Sequence, residues 1–471
     1  MIKTDPGKAG TLPMTDYCIH PDIVRAYDIR GDVGETLSDD DAYYLGRAFS
    51  TRLSQAGGQR IAIAHDNRPT SPGLTKALIA GVRESGIHVD FLELQPSPLL
   101  YYACHSLPVD GGIVVTASHN PKHMNGFKFL QGVKPFCGAD LKDMAASVRF
   151  GSFSAGAGYL TKRDVVESYL SELLATGAGN GNLRVAWDCG NGATGPIVRS
   201  LTKRMTGRHD VLNDDIDDHS RAPLDPSQPD CLSTVRRHVL QHDLDIGIAF
   251  DADGDRIGVV GSAGEILSAD QLLGLFAEDV LRSLPGSAIV ADVKCSQGLF
   301  DAIGRQGGVP DISPTGRPLI QARMEQTGSP LGGEMSGHIF FADQWYGFDD
   351  ALYAAMRLLA LFAQDPEIIQ RAEQRFAKFV GTPEIRMPCQ DNLKTPIVAN
   401  VKQRLFREGQ PFLDVDGIRV TTRDGWWLLR ASNTEPALVW RCEAATSKGL
   451  SGLKQIVQNY ISNAALSCLH G

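Results

Sequence analysis

At 471 residues the chain is too long for one hydrophobic core, which points to two to four domains. Its 55 acidic and 46 basic side chains leave a net charge of −9, whereas a sequence-independent nucleic-acid binder needs a basic footprint. The nine cysteines form no CxxC pair and sit mostly beside apolar residues, so neither a disulfide framework nor a zinc cluster is expected, and a reducing, cytoplasmic setting is.

The opening residues, MIKTDPGKAGTLPMTD, lack the apolar core of a signal peptide. Three times along the chain an apolar run then ends in an aspartate and a turn before a helix-like segment: IAIAHDNRPTSP before GLTKALIAGVRESG, LRVAWDCGNGATG before PIVRSL, and SAIVADVKCSQG before LFDAIGR. Strand, loop and helix in this order imply mainly parallel pairing. Some tens of residues after each, a second apolar run delivers a polar loop: GGIVVTASHNP, LDIGIAFDADGDR and PLGGEMSGHIFF. The three units read as copies of one architecture. Ligands gather at the carboxyl ends of parallel strands, so the three loops are expected to share one cleft.

Between the first and second units, GSFSAGAG (151–158) reads as a linker or surface loop. The most apolar helical stretch, ALYAAMRLLALFA, is short and broken by Arg357, which argues against a membrane span. The last segment differs: GIRVTTRDGWWLLRASNTEPALVWRCEA alternates as two or three strands with Asp424-Gly425 as a hairpin turn, flanked by the helical patterns IVANVKQRLF and LSGLKQIVQNYI. The expected fold class is therefore α/β: three similar mixed-sheet α/β domains over 1–163, 164–265 and 266–377, and a smaller C-terminal α+β domain over 378–471.

Four loops carry polar groups in patterns that suit chemistry. DADGDR offers Asp251, Asp253 and Asp255 at alternate positions, and hard oxygen donors that converge suit Mg²⁺ while leaving a position open; a solvated Asp/Gly turn is the alternative. An EF-hand is excluded because no glutamate follows at the twelfth position. Ser118 in TASHNP lacks the GxSxG elbow of a serine hydrolase, so it is either a turn residue or a phosphoryl carrier, and His119 beside it is either part of that site or a packed histidine. Glu334, Ser336 and His338 alternate in GGEMSGH and, if extended, share one face able to read the hydroxyls of a polyol. In RASNTEP, Arg430 with Ser432, Asn433 and Thr434 suits a phosphate, or makes an ordinary Ser/Thr-rich turn.

Taken together and in this order, TASHNP, DADGDR, GEMSGH and RASNTEP, with AYDIRG at 26–31, closely resemble the α-D-phosphohexomutase family, most of all its bacterial phosphomannomutase/phosphoglucomutase members. DVKCS (292–296) and DGIR (416–419) add support, and the resemblance runs from about Pro21 to Glu443.

The resemblance implies a central cleft between the four domains and an exchange of hexose 1-phosphate and 6-phosphate through a hexose 1,6-bisphosphate. Ser118 is then the phosphorylated serine, and its phosphate completes the site of one Mg²⁺ held by Asp251, Asp253 and Asp255. It places Arg256 and Lys128 around the transferring phosphoryl, with His119 and Asn120 orienting the loop. His338 is the proton carrier, Glu334 and Ser336 hold the sugar 3- and 4-hydroxyls, and Tyr27 and Arg30 line the cleft. Lys294 faces the sugar phosphate, which Arg430, Ser432, Asn433 and Thr434 anchor.

Two stretches depart from the bacterial pattern. TGRP (315–318) places Arg317 where a histidine usually lines the cleft, which bears on the sugar contacts; SRAP (220–223) replaces a histidine pair and reads as structural. Phosphoglucosamine mutases usually carry glutamine where this chain has Met335. A phosphatase, with water attacking the phosphoserine, and a non-catalytic sugar-phosphate sensor are the other readings. Small sugar phosphates are the expected partners, without nucleic acid or membrane, for a monomer or weak dimer.

Overall fold

The computed structural model describes residues 15, 17–217, 224–376, 379–432 and 436–470, and divides into two compact units, Met1–Val165 and Val166–Gly471. Four sheets of seven, five, four and five strands are formed among the described residues.

The first unit holds β1 (Ile29–Asp32), β2 (Arg60–His65), β3 (His88–Leu94), β4 (Gly111–Val115), β5 (Met124–Gln131), β6 (Lys134–Phe136) and β7 (Leu160–Lys162). Its sheet runs β1-β5-β4-β2-β3-β7, with β6 beside β5. β4, β2, β3 and β7 are parallel neighbours, whereas β5 returns antiparallel to β4. β1, β2 and β3 each feed a helix; the first, Asp39–Gln55, starts on a Ser38 capping box closed by Asp41, buries Leu45 and packs Phe49 against Phe129 and Phe136.

In the second unit the pattern recurs twice. β8 (Arg184–Asp188), β9 (Arg208–Leu212), β10 (Ile246–Phe250), β11 (Ile257–Gly261) and β12 (Ile266–Leu267) form one sheet; β13 (Ala288–Asp292), β14 (Val309–Ser313), β15 (Leu331–Gly333) and β16 (Ile339–Phe341) form the next. In all three sheets the first strand of the repeat (β2, β8 or β13) lies between two parallel neighbours (β3 and β4, β9 and β10, β14 and β15), and a fourth strand (β5, β11 or β16) is antiparallel to the third. The sheets are thus mixed, as expected, parallel around the first strand of each repeat and antiparallel at the fourth. The reason is local: each chemistry-bearing loop is short, so it can only be a reversal between adjacent antiparallel strands, whereas a parallel return needs a long crossover. The second sheet continues to Leu267, two residues beyond the expected boundary at 265.

The last sheet, β17 (Val380–Gly381), β18 (Ile385–Pro388), β19 (Ile418–Thr421), β20 (Gly425–Ala431) and β21 (Ala437–Ala444), is antiparallel, with helices Asp391–Arg407 and Ser447–His470 packed on it. It docks on the third sheet: Trp426 and Leu428 pack with Val293, and buried Arg419 stacks 3.7 Å over Trp426 while donating to the carbonyls of Val293 (2.5 Å) and Cys295 (2.9 Å). Helix Ala351–Gln364 is almost wholly buried, and its Arg357 pairs with Asp343 and Asp279. No helix among the described residues is long and apolar enough to cross a membrane.

Candidate active site

In each repeat the polar loop is the connection from the third strand to the antiparallel fourth. Ser118 lies between β4 and β5, the three aspartates between β10 and β11, and Glu334, Ser336 and His338 between β15 and β16. One topological position therefore delivers the main groups picked out from the sequence.

In the first unit Ser118 is buried and adopts φ 52°, a left-handed conformation that costs a non-glycine residue on the order of 1–3 kcal/mol. Its N–H donates to Thr116 Oγ1 (2.9 Å) and its Oγ lies 3.2 Å from His119 Nδ1. Lys128 is buried on β5, paired with Val114 near the end of β4. Arg30, at the start of β1, is held by Asp28 (2.8 Å) and contacts the Asn120 side-chain oxygen; Tyr27 precedes it, partly buried. Sequence reasoning missed Arg68, whose guanidinium reaches the carbonyls of Ser118 (2.5 Å), Asn120 (2.7 Å), Pro121 (2.7 Å) and Met124 (3.0 Å).

Within the second unit Asp251, Asp253 and Asp255 are wholly buried, and one ligand atom from each lies within 4.8 Å of the others. Asp251 Oδ1 accepts the N–H groups of Asp255 and Arg256 (both 3.1 Å), which curls the loop so that alternate carboxylates converge. Arg256 contacts Asp225 (3.3 Å) and Asp251 (4.0 Å); burial works against its charge, but these carboxylates outweigh burial and raise its pKa. Glu334 and Asp349 lie beside them, both within reach of His338. Three buried carboxylates that converge on one point with only hard oxygen donors fit Mg²⁺.

Glu334, Ser336 and His338 do come together, but through a tight turn rather than an extended strand. Gly337, at φ 97°, closes it, and its carbonyl accepts the Ile257 N–H (3.1 Å), tying this loop to the aspartate loop. Ser336 Oγ bridges Glu334 (3.0 Å) and His338 Nδ1 (2.9 Å), and His338 Nε2 reaches Asp255 (3.2 Å). Burial disfavours the imidazolium, but Asp255 and Glu334 together raise His338 to about 10; burial likewise opposes the Glu334 charge, and His338 with Lys294 lowers that carboxyl to about 2.

Arg317 begins helix Arg317–Thr327 and pairs with buried Asp349 (3.3 Å), whose other oxygen lies 3.7 Å from His338. Lys294 is buried between Glu384 (3.1 Å) and Asp292 (3.6 Å). Arg430 is buried on β20 and pairs with Asp416 (2.9 Å), which also accepts the Thr315 N–H (3.1 Å); Ser432 is buried beside it, its carbonyl accepting from Lys394 (2.7 Å). Asn433, Thr434 and the SRAP stretch at 220–223 lie outside the described residues. Asp349 and Glu384 carried no pattern in the sequence that set them apart; Asp416 opens the DGIR stretch, which marks no role for it.

The chain matches the four domain signatures of the phosphoglucomutase/phosphomannomutase family, alpha/beta/alpha domain I at residues 21–136, II at 167–264, III at 268–379 and the C-terminal domain at 384–459. A phosphomannomutase/phosphoglucomutase of Pseudomonas aeruginosa is 36% identical over 457 residues, covering 96% of this chain and 97% of its own. A phosphoglucomutase of Neisseria gonorrhoeae is 36% identical over 442 residues, covering 92% and 95%. The crystal structure of a phosphoglucomutase/phosphomannomutase family protein from Burkholderia thailandensis matches with a TM-score of 0.88 at 35% identity, over 95% of this chain and 98% of that one. With such likeness along nearly the whole length, the chain belongs to the α-D-phosphohexomutase family and is a hexose-phosphate mutase, an isomerase.

Proposed function

We propose that Ser118 carries the phosphoryl group of a two-step exchange between hexose 1-phosphate and hexose 6-phosphate, glucose and mannose phosphates both being substrates. The observation that carries this reading is a buried serine held in a left-handed turn, its backbone pinned on every side and its Oγ beside an imidazole. In the first step the Oγ–P bond of phospho-Ser118 breaks, a P–O bond forms to the free hydroxyl of the hexose monophosphate, and that hydroxyl gives up its proton. The resulting hexose 1,6-bisphosphate turns end for end and returns its other phosphoryl to Ser118.

Lys128 and Arg256 offset charge on the transferring phosphoryl. His338 moves the proton at Nε2 while Nδ1 stays oriented by Glu334 and Ser336. Arg30 and Tyr27 are assigned to sugar-phosphate binding, and His119 and Asn120 orient the Ser118 loop. Lys294, Arg430, Ser432, Asn433 and Thr434 anchor the phosphate that is not reacting. Asp251, Asp253 and Asp255 would hold one Mg²⁺, which supplies electrostatic stabilisation of phosphoryl charge. The same reading divides the chain near 163, 265 and 377 and describes a cytoplasmic enzyme, monomeric or weakly dimeric.

Glucose and mannose share the 3- and 4-hydroxyls assigned to Glu334 and Ser336 and differ at carbon 2. A site with no dedicated 2-hydroxyl partner discriminates weakly. Arg317 is the residue that bears on this reading: its Nη1 pairs with Asp349 (3.3 Å), which supports weak discrimination, whereas a fork that reached the 2-hydroxyl would raise it. The expected kcat/KM values for glucose 1-phosphate and mannose 1-phosphate lie within about tenfold, roughly 1.4 kcal/mol; a thousandfold preference defeats the dual-substrate reading.

Incubation with glucose 1-phosphate, Mg²⁺ and a trace of glucose 1,6-bisphosphate tests the reaction itself. Isomerisation supports it, release of inorganic phosphate points to a phosphatase, and no turnover points to a sensor. Intact-mass measurement should find a phosphate-sized addition that Ser118→Ala removes together with activity. Full activity in that variant ends the phosphoserine assignment.

A further inference from the structure

We infer that Arg68 is the positioning residue that sets the Ser118 loop for phosphoryl transfer, an inference that rests on Ser118 being the phosphoryl carrier. A guanidinium has five N–H donors in a planar fork. In Arg68, Nε donates to Asp66 Oδ2 (3.0 Å), Nη1 to the carbonyls of Pro121 (2.7 Å) and Met124 (3.0 Å), and Nη2 to those of Ser118 (2.5 Å) and Asn120 (2.7 Å). All five are therefore committed to protein acceptors, which sets Arg68 apart from a phosphate ligand. Its side chain is 4% exposed, so water does not compete for these carbonyls.

Asp66 keeps that fork in place. It is wholly buried, accepts the Arg68 N–H (3.1 Å) and the Ser71 hydroxyl (2.5 Å), and lies directly after β2. Asn125 on β5 donates to Ser71 Oγ and Thr70 Oγ1 (both 2.9 Å), closing a network from the loop after β2 to the far end of the Ser118 loop. The loop is thus fixed at Ser118 itself, at two residues beyond it and at the first residue of β5. A left-handed serine persists only where its surroundings over-determine it, and these carbonyl contacts, with Thr116 on the Ser118 N–H, are that determination.

Arg68→Lys keeps the charge but offers three donors in place of five and no planar fork. With glucose 1-phosphate, Mg²⁺ and glucose 1,6-bisphosphate, kcat is expected to fall about thirtyfold or more while KM stays within about threefold, because Arg68 aligns the nucleophile without touching substrate. A folded Arg68→Lys protein with kcat within threefold of wild type overturns the inference, and so does an equal change carried wholly by KM. Should that variant fail to fold, Asp66→Asn loosens the same fork while leaving Arg68 present and is judged by the same split. Intact mass of the wild-type protein after glucose 1,6-bisphosphate is measured in parallel. An unmodified Ser118 in an active wild-type enzyme removes the phosphoserine reading on its own, whatever the variants do.

Discussion

The loops at 116–123 and 251–256 leave equivalent strands of equivalent sheets, yet they are held by opposite electrostatics. The first contains no carboxylate and is pinned by a cation spread over four carbonyl oxygens. The second gathers three buried carboxylates, and the next repeat adds Glu334 and Asp349 near the same histidine. In the proposed mechanism one connection in one topology thus serves contrary needs: the loop that would carry an anion has its backbone fixed by a cation, and the loop that would hold a cation gathers buried carboxylates. The strand before each repeat's first loop shows the same divergence, since it leads directly into Asp66 or ends in Asp188 or Asp292, all buried, followed two residues on by Arg68, Gly190 or Lys294.

Removing one of these carboxylates breaks this contrast most sharply. In Asp253→Asn, turnover is expected to fall about a hundredfold or more, because an uncharged donor weakens the cation site. Stability should move the other way when Mg²⁺ is absent, since the substitution relieves repulsion among buried like charges. Thermal melting with and without Mg²⁺ reads both effects: the wild type should gain from the ion through linkage, and the variant should start higher and gain less. A variant that melts lower without Mg²⁺ and keeps its metal response would show that the three carboxylates are not in electrostatic conflict.

A smaller effect, on stability, is expected where the two acidic loops are knitted together. An alanine Cβ at Gly337 would lie 2.8 Å from the Ile257 carbonyl, and φ there is 97°. Gly337→Ala should lose about 1–3 kcal/mol of stability in urea unfolding. Activity should fall as well, since the Ile257 to Gly337 hydrogen bond sets the approach of His338 to Asp255. An unchanged midpoint would mean that the turn relaxes without cost.

Much of this arrangement was readable from the chain itself. Apolar runs ending in aspartate or in a polar loop marked the strands and their carboxyl ends, because burial on both faces of a sheet demands unbroken hydrophobic sequence. Mixed sheets were expected, but which strands run antiparallel was not marked: β11 and β16 are as apolar as their parallel neighbours, and composition does not encode which way a strand runs. GEMSGH suited either an extended segment or a polar loop with two glycines, and the positive φ of Gly337 makes it a turn. Arg68, Asp349 and Glu384 were missed because their partners are remote in sequence. Arg68 reaches Met124, 56 residues away, and such contacts exist only once sheet register has brought the loops together.

The buried carboxylates of this unit have a last, milder consequence at Asp350, which precedes helix Ala351–Gln364. It caps that helix through the Tyr353 N–H (2.9 Å) and accepts the Tyr169 hydroxyl (2.9 Å). Burial, reinforced by neighbouring Asp349, raises its pKa from 3.8 to about 7 despite these hydrogen bonds. Because the folded value lies above the unfolded one, folding takes up a proton between them. The stability this contributes is fully present below pH 3.8 and is lost as pH rises through about 7. Asp350→Asn keeps an oxygen for the tyrosine and the cap but cannot ionise. Unfolding free energies of the two proteins, measured from pH 5 to pH 8, should therefore diverge, the wild type falling relative to the variant by up to about 1.4 kcal/mol per pH unit before levelling above pH 7. Parallel curves would mean that Asp350 stays ionised throughout, and that the buried charge near His338 is balanced without sparing one carboxylate.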